Sequence, residues 1–557
     1  MATTVSVQRR HSTANEWILK ISEKAKRGRA FSLGVITPSS PKNSIAATTA
    51  SSSSTDSASP FPPLQHSKDI RILHLDPSLG PDDPLVGHYE LCALESRPVY
   101  EALSYTWDPP FKGQILPDDF VEISGLLFRV NGNLGQALRR LRHTDQDRAL
   151  WIDAICINQH SVPERGSQVA MMADIYRSSA RTILWLGEDS AIRDGQYVFH
   201  MATGLGRPSS LKGKGKKRDS PLGNLMPEVE DGGISLEELS QTFLGRKVFQ
   251  RRWIIQELCN AGNLEVLCGS YLMPWFPFFK SLQALLHHRP LYESQNWQFS
   301  DRLTMLEDVR QAGGLSRNHT AVDMLCAVGN LGCRDPRDRL FALASLWSEG
   351  FIMIDYALAA EEVYYNFAMA TVAASVKAHR LEARSVLHAN QLLLVAAYQA
   401  GDRRRMGMYS LPSWAPHWHF TTPPKFSLSA GDSLVQPLHV TRNRILRANV
   451  PIFGTIDALL EGNCLRLLSH SGARHANLNE SITYREHFER YCPALRNGDL
   501  LCGPVLEHHS LDTRLAIVLR GNVQEHVMRV RMVGLFPMDL FGESLRDHSM
   551  SMEMEFL

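Results

Sequence analysis

At 557 residues the chain is too long for one ordinary hydrophobic core, so two or three domains are expected. Its 44% hydrophobic and 21% charged residues are ordinary for a globular protein, and a net charge of +1 creates no global field for nucleic acid or an acidic membrane. No apolar run approaches the roughly 18 residues of a transmembrane helix, and nine cysteines without a C-x-x-C spacing point to reduced thiols in an intracellular, cytoplasmic protein rather than to a disulfide framework or zinc ribbon.

Residues 1–67 are rich in Ser, Thr, Ala and Pro and have little to bury, which reads as a disordered tail. Within it, ANEWILKISEKAKRGR (14–29) has the period of a basic amphipathic helix, a membrane-surface segment or simply a weakly helical tail. Regular structure is expected from Asp69, with the alternating DIRILHL. The runs FVEI and LLFRV, joined by Ser124-Gly125, read as a hairpin. Asn133 is expected to cap a helix bearing Leu134, Ala137, Leu138 and Leu141.

The next stretch, 149–187, reads as strand, loop, helix, strand. Ala149 to Ile152 is apolar and ends in Asp153; Val169, Met172, Ala173 and Tyr176 follow at helical spacing; Thr182 to Leu186 is a second buried run, closed by Gly187 and Glu188. A helical period between two buried strands marks a parallel βαβ unit, which places ligands at the carboxyl ends of its strands. Residues 203–233 are Gly-, Pro- and Lys-rich and read as a mobile insertion; no phosphate-loop register fits their basic cluster. Helical pattern dominates 276–400, and 430–557 mixes short strands and loops.

Several residues are candidates for chemistry. Asp153, at a strand end between apolar neighbours, is expected to have a raised pKa or to pair with Arg165 or Arg181; accepting backbone N–H groups of the following loop is an equal alternative. Asn158 and Gln159 suit a ribose hydroxyl or the loop's own backbone. Tyr105 and Trp107 suit stacking on a planar base or a place in the core. Glu164 suits the positive end of the second helix. Trp253 and Glu257, four apart in RRWIIQEL, share one helical face. No metal site is assigned: His417 and His419 flank Trp418 without a carboxylate or cysteine at ligand spacing.

These blocks together resemble the fungal heterokaryon-incompatibility (HET) domain: YEALSYTW (100–107), LWIDAICINQ (150–159), ERGSQVAMMADIYRSSARTILWLG (164–187) and RRWIIQEL (251–258), with DPRDRLFALASL (335–346), EEVYYNFA (361–368) and LPSWAPHW (411–418) further on. Residues after about 420 carry no such motif. HET domains are considered distant relatives of TIR domains, and RRWIIQEL is similar to the TIR motif S-x-W-C-x-x-E-L, whose glutamate is catalytic in NAD hydrolysis. Trp253, Glu257 and Leu258 match that spacing; Arg251 and Ile254 replace its Ser and Cys.

The resemblance implies an α/β, TIR-like parallel-sheet HET domain at 68–275 containing the 203–233 insertion, then a mainly helical region (276–400) and a mixed C-terminal region (401–557). It also implies a cell-death effector of nonself recognition. In that role NAD is the candidate substrate, no cofactor is required, Glu257 and Asp153 are the candidate catalytic residues, and Tyr105, Trp107, Asn158 and Gln159 bind the nucleotide. The competing reading is a non-catalytic interaction module, with Glu257 paired to Arg251 or Arg252 and Trp253 in the core. Either reading includes a protein partner or self-association, and neither includes nucleic acid or a transmembrane segment.

Overall fold

A computed structural model of the protein describes residues 30–32, 60–205, 235–287, 294–315, 319–347, 352–377, 383–408, 410–420, 427–428, 435–460, 464–469, 472–477, 496, 499–508, 513–524, 527–537 and 550–557. The amphipathic segment 14–29, most of the tail and residues 206–233 of the expected insertion lie outside them. The chain divides into two compact units, Met1–Leu291 and Tyr292–Leu557. Among the described residues no helix is long and apolar enough to cross a membrane.

The first unit is built on a ten-stranded sheet. Its strands are β1 (Ala30–Ser32), β2 (Asp69–Leu75), β3 (Leu85–Ala93), β4 (Glu101–Ser104), β5 (Asp119–Ile123), β6 (Leu126–Val130), β7 (Arg148–Trp151), β8 (Arg181–Trp185), β9 (Leu264–Cys268) and β10 (Tyr271–Pro274). Their spatial order is β1-β6-β5-β3-β2-β7-β4-β8-β9-β10. The expected α/β class holds, with β7, β4, β8 and β9 forming a parallel centre. The flanks make the sheet mixed: β2 runs antiparallel to both β3 and β7, and β10 to β9. The short links after β2 and β9 dictate the antiparallel β2–β3 and β9–β10 pairs, because a parallel return needs a crossover of about a dozen residues or more.

The βαβ unit of 149–187 is present in a form the periodicity could not reveal. Strands β7 and β8 are parallel but not neighbours, since β4 lies between them and pairs with both. The chain thus leaves β4 to one side for β7 and to the other for β8, a switch point of the kind where open α/β sheets bind ligands.

Ser124 and Gly125 turn the β5–β6 hairpin with φ of 50° and 82°, and Ile123 pairs with Leu126. Two positive φ values are what a primed two-residue turn demands. Helix α1 (Gly132–Leu141) buries Leu134, Ala137, Leu138 and Leu141 as expected, but Asn131 is its cap, accepting from the Leu134 N–H at 2.9 Å. Asn133 instead points inward. It donates to the Thr106 carbonyl at 2.7 Å and accepts from the Trp185 indole at 2.9 Å, fixing the loop after β4. Order also starts before residue 68: Phe61 is buried, edge-on to Phe128 at 5.6 Å and beneath the Arg71 guanidinium.

The remaining helices of this unit are α2 (Asp153–Cys156), α3 (Val162–Ser178), α4 (Asp194–Leu205), α5 (Leu236–Leu244), α6 (Ile254–Asn260) and α7 (Trp275–His287). Helix α3 buries Val169, Met172, Ala173 and Tyr176 along the stripe its spacing foretold. Arg246, fully buried after α5, donates to both oxygens of Asp194 at 2.7 and 3.2 Å and to the carbonyls of Leu186 and Glu188, with Phe111 and Phe243 against its guanidinium. It therefore ties the end of β8 to α4. Glu188, at that strand end, pairs with Arg140 at 2.7 Å.

The second unit carries α8 (Ser294–Ala312), α9 (Ala321–Ala327), α10 (Asp338–Phe341), α11 (Ala360–Lys377) and α12 (Ala383–Arg405), then β11 (Ser427–Leu428), β12 (Gln436–Val440), β13 (Leu446–Leu460), β14 (Cys464–Ser469), β15 (Gly472–Asn477), β16 (Leu500–His508), β17 (Thr513–Gln524), β18 (Val527–Pro537) and β19 (Met550–Phe556). Strands β13, β16, β17, β18 and β19 pair successively, and β19 returns to β13, so five strands close on themselves. Closure leaves no free edge among them. Helix α12 packs along β18 and buries Ala389 and Leu392 to Ala397.

Candidate functional site

The carboxyl ends of β7 and β4 converge on one polar cluster. Ser104 is the last residue of β4, Asp153 stands two residues beyond β7, and Arg251 and Glu257 come from the segment that leads into and forms α6. The Ser104 hydroxyl donates to Glu257 Oε2 at 2.5 Å. Arg251 Nη1 lies 3.1 Å from Glu257 Oε1, and its Nη2 donates to Asp153 Oδ2 at 3.0 Å. Arg251 Nη1 also donates to the Tyr105 carbonyl. One guanidinium therefore bridges two carboxyls that are far apart in sequence and joins them to the loop after β4.

Burial decides the electrostatics. Glu257 is 0% exposed, and desolvation pushes its carboxyl up to about 7, with Asp153 adding to the rise and Arg251 and the Ser104 hydroxyl opposing it. Burial also works against the Arg251 charge, yet Glu257 and Asp153 more than offset it and hold the guanidinium above its ordinary range. The Tyr105 and Tyr176 hydroxyls sit in the same region, and burial pushes both well above theirs. Tyr176 donates to the Leu103 carbonyl at 3.3 Å and packs edge-on against Trp151, which seats α3 on the parallel strands.

The sequence-derived candidates separate here. Asp153 and Glu257 are brought together. Trp107, partly exposed, reaches the same cluster, its indole N–H 3.4 Å from Asp153 Oδ1. Tyr105 is 0% exposed, so its ring is core and offers no face for stacking in this conformation. Asn158 and Gln159 serve their own loop: the Asn158 side chain accepts from the His160 N–H at 3.2 Å, and Gln159 donates to the Asp153 carbonyl at 3.1 Å. The Asn158 N–H donates to Glu164, which also takes two bonds from the buried Arg71. Glu164 is thus a structural anchor as well as a helix-end charge.

Asp153 pairs with neither basic residue first considered for it. Arg181 is engaged by Glu101 and Glu265, and Arg251 takes the place beside Asp153. Trp253, expected in the core on one reading, is half-buried; it caps α6 with helical dihedrals one turn before Glu257, whose N–H donates to the Trp253 carbonyl at 3.3 Å. His417 is buried against Tyr364 and Phe420, and burial, aided by Arg403, pushes its imidazole down to about 4.

Two members of the cluster were not put forward from sequence. Ser104 carries no signal by itself beyond ending a β-rich run. Arg251 was weighed as an ion-pair partner for Glu257, but its hold on Asp153 depends on tertiary contact. The assembled set offers a carboxyl that exchanges a proton near neutrality beside a guanidinium and a second carboxyl. Such a set can stabilise a developing positive charge or orient a polar ligand at the strand ends.

The family model described as heterokaryon incompatibility protein (HET) matches residues 100–257, which span the whole cluster. The chain is 24% identical over 412 residues to heterokaryon incompatibility protein 6, OR allele, of Neurospora crassa, an alignment covering 63% of this chain and 58% of that protein. The chain therefore spans less than two thirds of that relative's length. No solved structure matches it.

Proposed function

The chain carries a heterokaryon incompatibility domain over residues 100–257, and from that premise we propose that it is an effector of fungal nonself recognition that triggers cell death by hydrolysing NAD or a related nucleotide. The observation that supports the chemistry is the Ser104–Glu257–Arg251–Asp153 cluster at the switch point of a parallel sheet. In this reading the nicotinamide–ribose bond breaks, its electron pair leaves with nicotinamide, and a water oxygen adds to the ribose carbon while a proton is released. The transition state resembles an oxocarbenium ion, which ionised Glu257 stabilises. Ser104 orients that carboxylate, Arg251 fixes its distance from Asp153, and Trp107 borders the approach. Because Glu257 is buried, Trp107 and Arg251 move aside when substrate enters.

Purified full-length protein is expected to consume NAD, and Glu257→Gln to slow consumption by about 10²–10³, the usual cost of one essential electrostatic group. The variant is nearly isosteric, so its circular dichroism stays unchanged. A folded Glu257→Gln protein with undiminished NAD turnover removes the chemistry. Expression in a fungal host separates the levels: growth arrest that persists in Glu257→Gln points to the second reading, a non-catalytic module acting through self-association or a protein partner. Full burial of Glu257 and its pairing with Arg251 favour that reading.

A further inference from the structure

Away from this cluster, the face of β2 and β3 gathers metal-ligating side chains that no motif announced. His74 and His88 are directly opposed across the antiparallel pair, their rings stacked 5.0 Å apart at 16°. Ala149 of β7 pairs with His74 from the other side, and Asp147 stands two residues before it, the spacing that returns to the same face. One ligand atom from each of His74, His88 and Asp147 lies within 4.8 Å of the others. We infer that these three residues form a binding site for a divalent transition metal ion of the zinc class.

The donor set selects the ion. Two imidazoles and a carboxylate suit zinc, copper or nickel, whereas magnesium and calcium prefer oxygen ligands alone. Zinc-to-ligand distances of about 2.0–2.2 Å put tetrahedral ligand atoms roughly 3.3–3.6 Å apart. The present spread closes to that with a side-chain rotation of about 1 Å, and His88 and Asp147 are exposed and free to make it. Carboxylates stand behind both rings: Glu90 Oε2 is 2.7 Å from His74 Nε2, and Asp76 Oδ1 is 3.7 Å from His88 Nδ1. Such pairs orient a ligating imidazole and raise its basicity. Without an ion these contacts are surface ion pairs of small worth. With one, the ion staples β3, β2 and β7 where the antiparallel flank meets the parallel centre.

The test uses the full chain, stripped with chelator and titrated with Zn²⁺ or Mg²⁺ by calorimetry and thermal melting. Zn²⁺ is expected to bind saturably and raise the melting temperature, because it binds the folded state, and Mg²⁺ to do neither. His88→Gln and Asp147→Asn alter exposed side chains and keep the fold; each weakens zinc binding at least about 10-fold, and Glu90→Gln weakens it by about 10-fold through the ring it orients. The inference falls if the parent protein shows no saturable zinc binding. It also falls if folded His88→Gln and Asp147→Asn proteins bind zinc as tightly as the parent, which would place the ion on other side chains.

Discussion

Glu257 joins folding and chemistry through one proton. Its carboxyl is raised from 4.5 to about 7 by burial. A raised pKa means the folded state holds the proton more tightly than the unfolded chain. Its contribution to stability is therefore full below about 4.5 and is lost as pH rises through about 7, a change on the order of 3 kcal/mol. Glu257→Gln removes that dependence. Chemical denaturation of both proteins should show the variant gaining on the parent between about pH 5 and about pH 8; a constant difference across this window would contradict the burial account. Glu257 was legible as a candidate because RRWIIQEL carries a recognisable spacing. Its partner Ser104 was not, because a serine ending a strand has no distinguishing neighbour in sequence.

At the scale of elements, two connections hold the strand ends in place. Gly187 follows β8 with φ of 98°, and a Cβ there would stand 2.2 Å from the Pro110 ring. Gly187→Ala should cost at least about 2 kcal/mol by urea denaturation, from left-handed strain plus the clash. Arg246 and Asp194 are both fully buried as a pair. Arg246→Met leaves the Asp194 charge uncompensated and should cost about 3–5 kcal/mol, whereas the double change Arg246→Met with Asp194→Leu should recover much of it. Equal losses in the single and double variants would show that Arg246 acts through its carbonyl and aromatic contacts instead. The hairpin at Ser124-Gly125 and the buried stripes of α1 and α3 were readable, since turn chemistry and helical period are local. The cap of α1 is Asn131, two residues before the expected Asn133; both suit that place by type, and only the contacts with Thr106 and Trp185 distinguish them.

For the whole molecule, the division at Leu291 and Tyr292 makes a direct prediction. Residues 60–291 expressed alone should be soluble and unfold in one cooperative transition followed by heating in a calorimeter, since a unit with its own core folds by itself. An insoluble fragment, or a gradual melt, would show that its core is completed elsewhere in the chain. Length, composition and local period were enough to determine an α/β sheet with a parallel centre and the helical stretch after it, while the block that matches a HET domain shows itself only as a resemblance of motifs. They determined these because hydrophobic period and turn residues show themselves within windows of about 11–18 residues. Tertiary structure alone decided that β4 enters between β7 and β8, that Arg251 spans Asp153 and Glu257, that five C-terminal strands close on themselves, and that His74 meets His88 and Asp147. Each of these is a pairing of distant segments, set by strand register and by the need to give every buried charge a partner, and neither requirement leaves a mark in the spacing of residues along the chain.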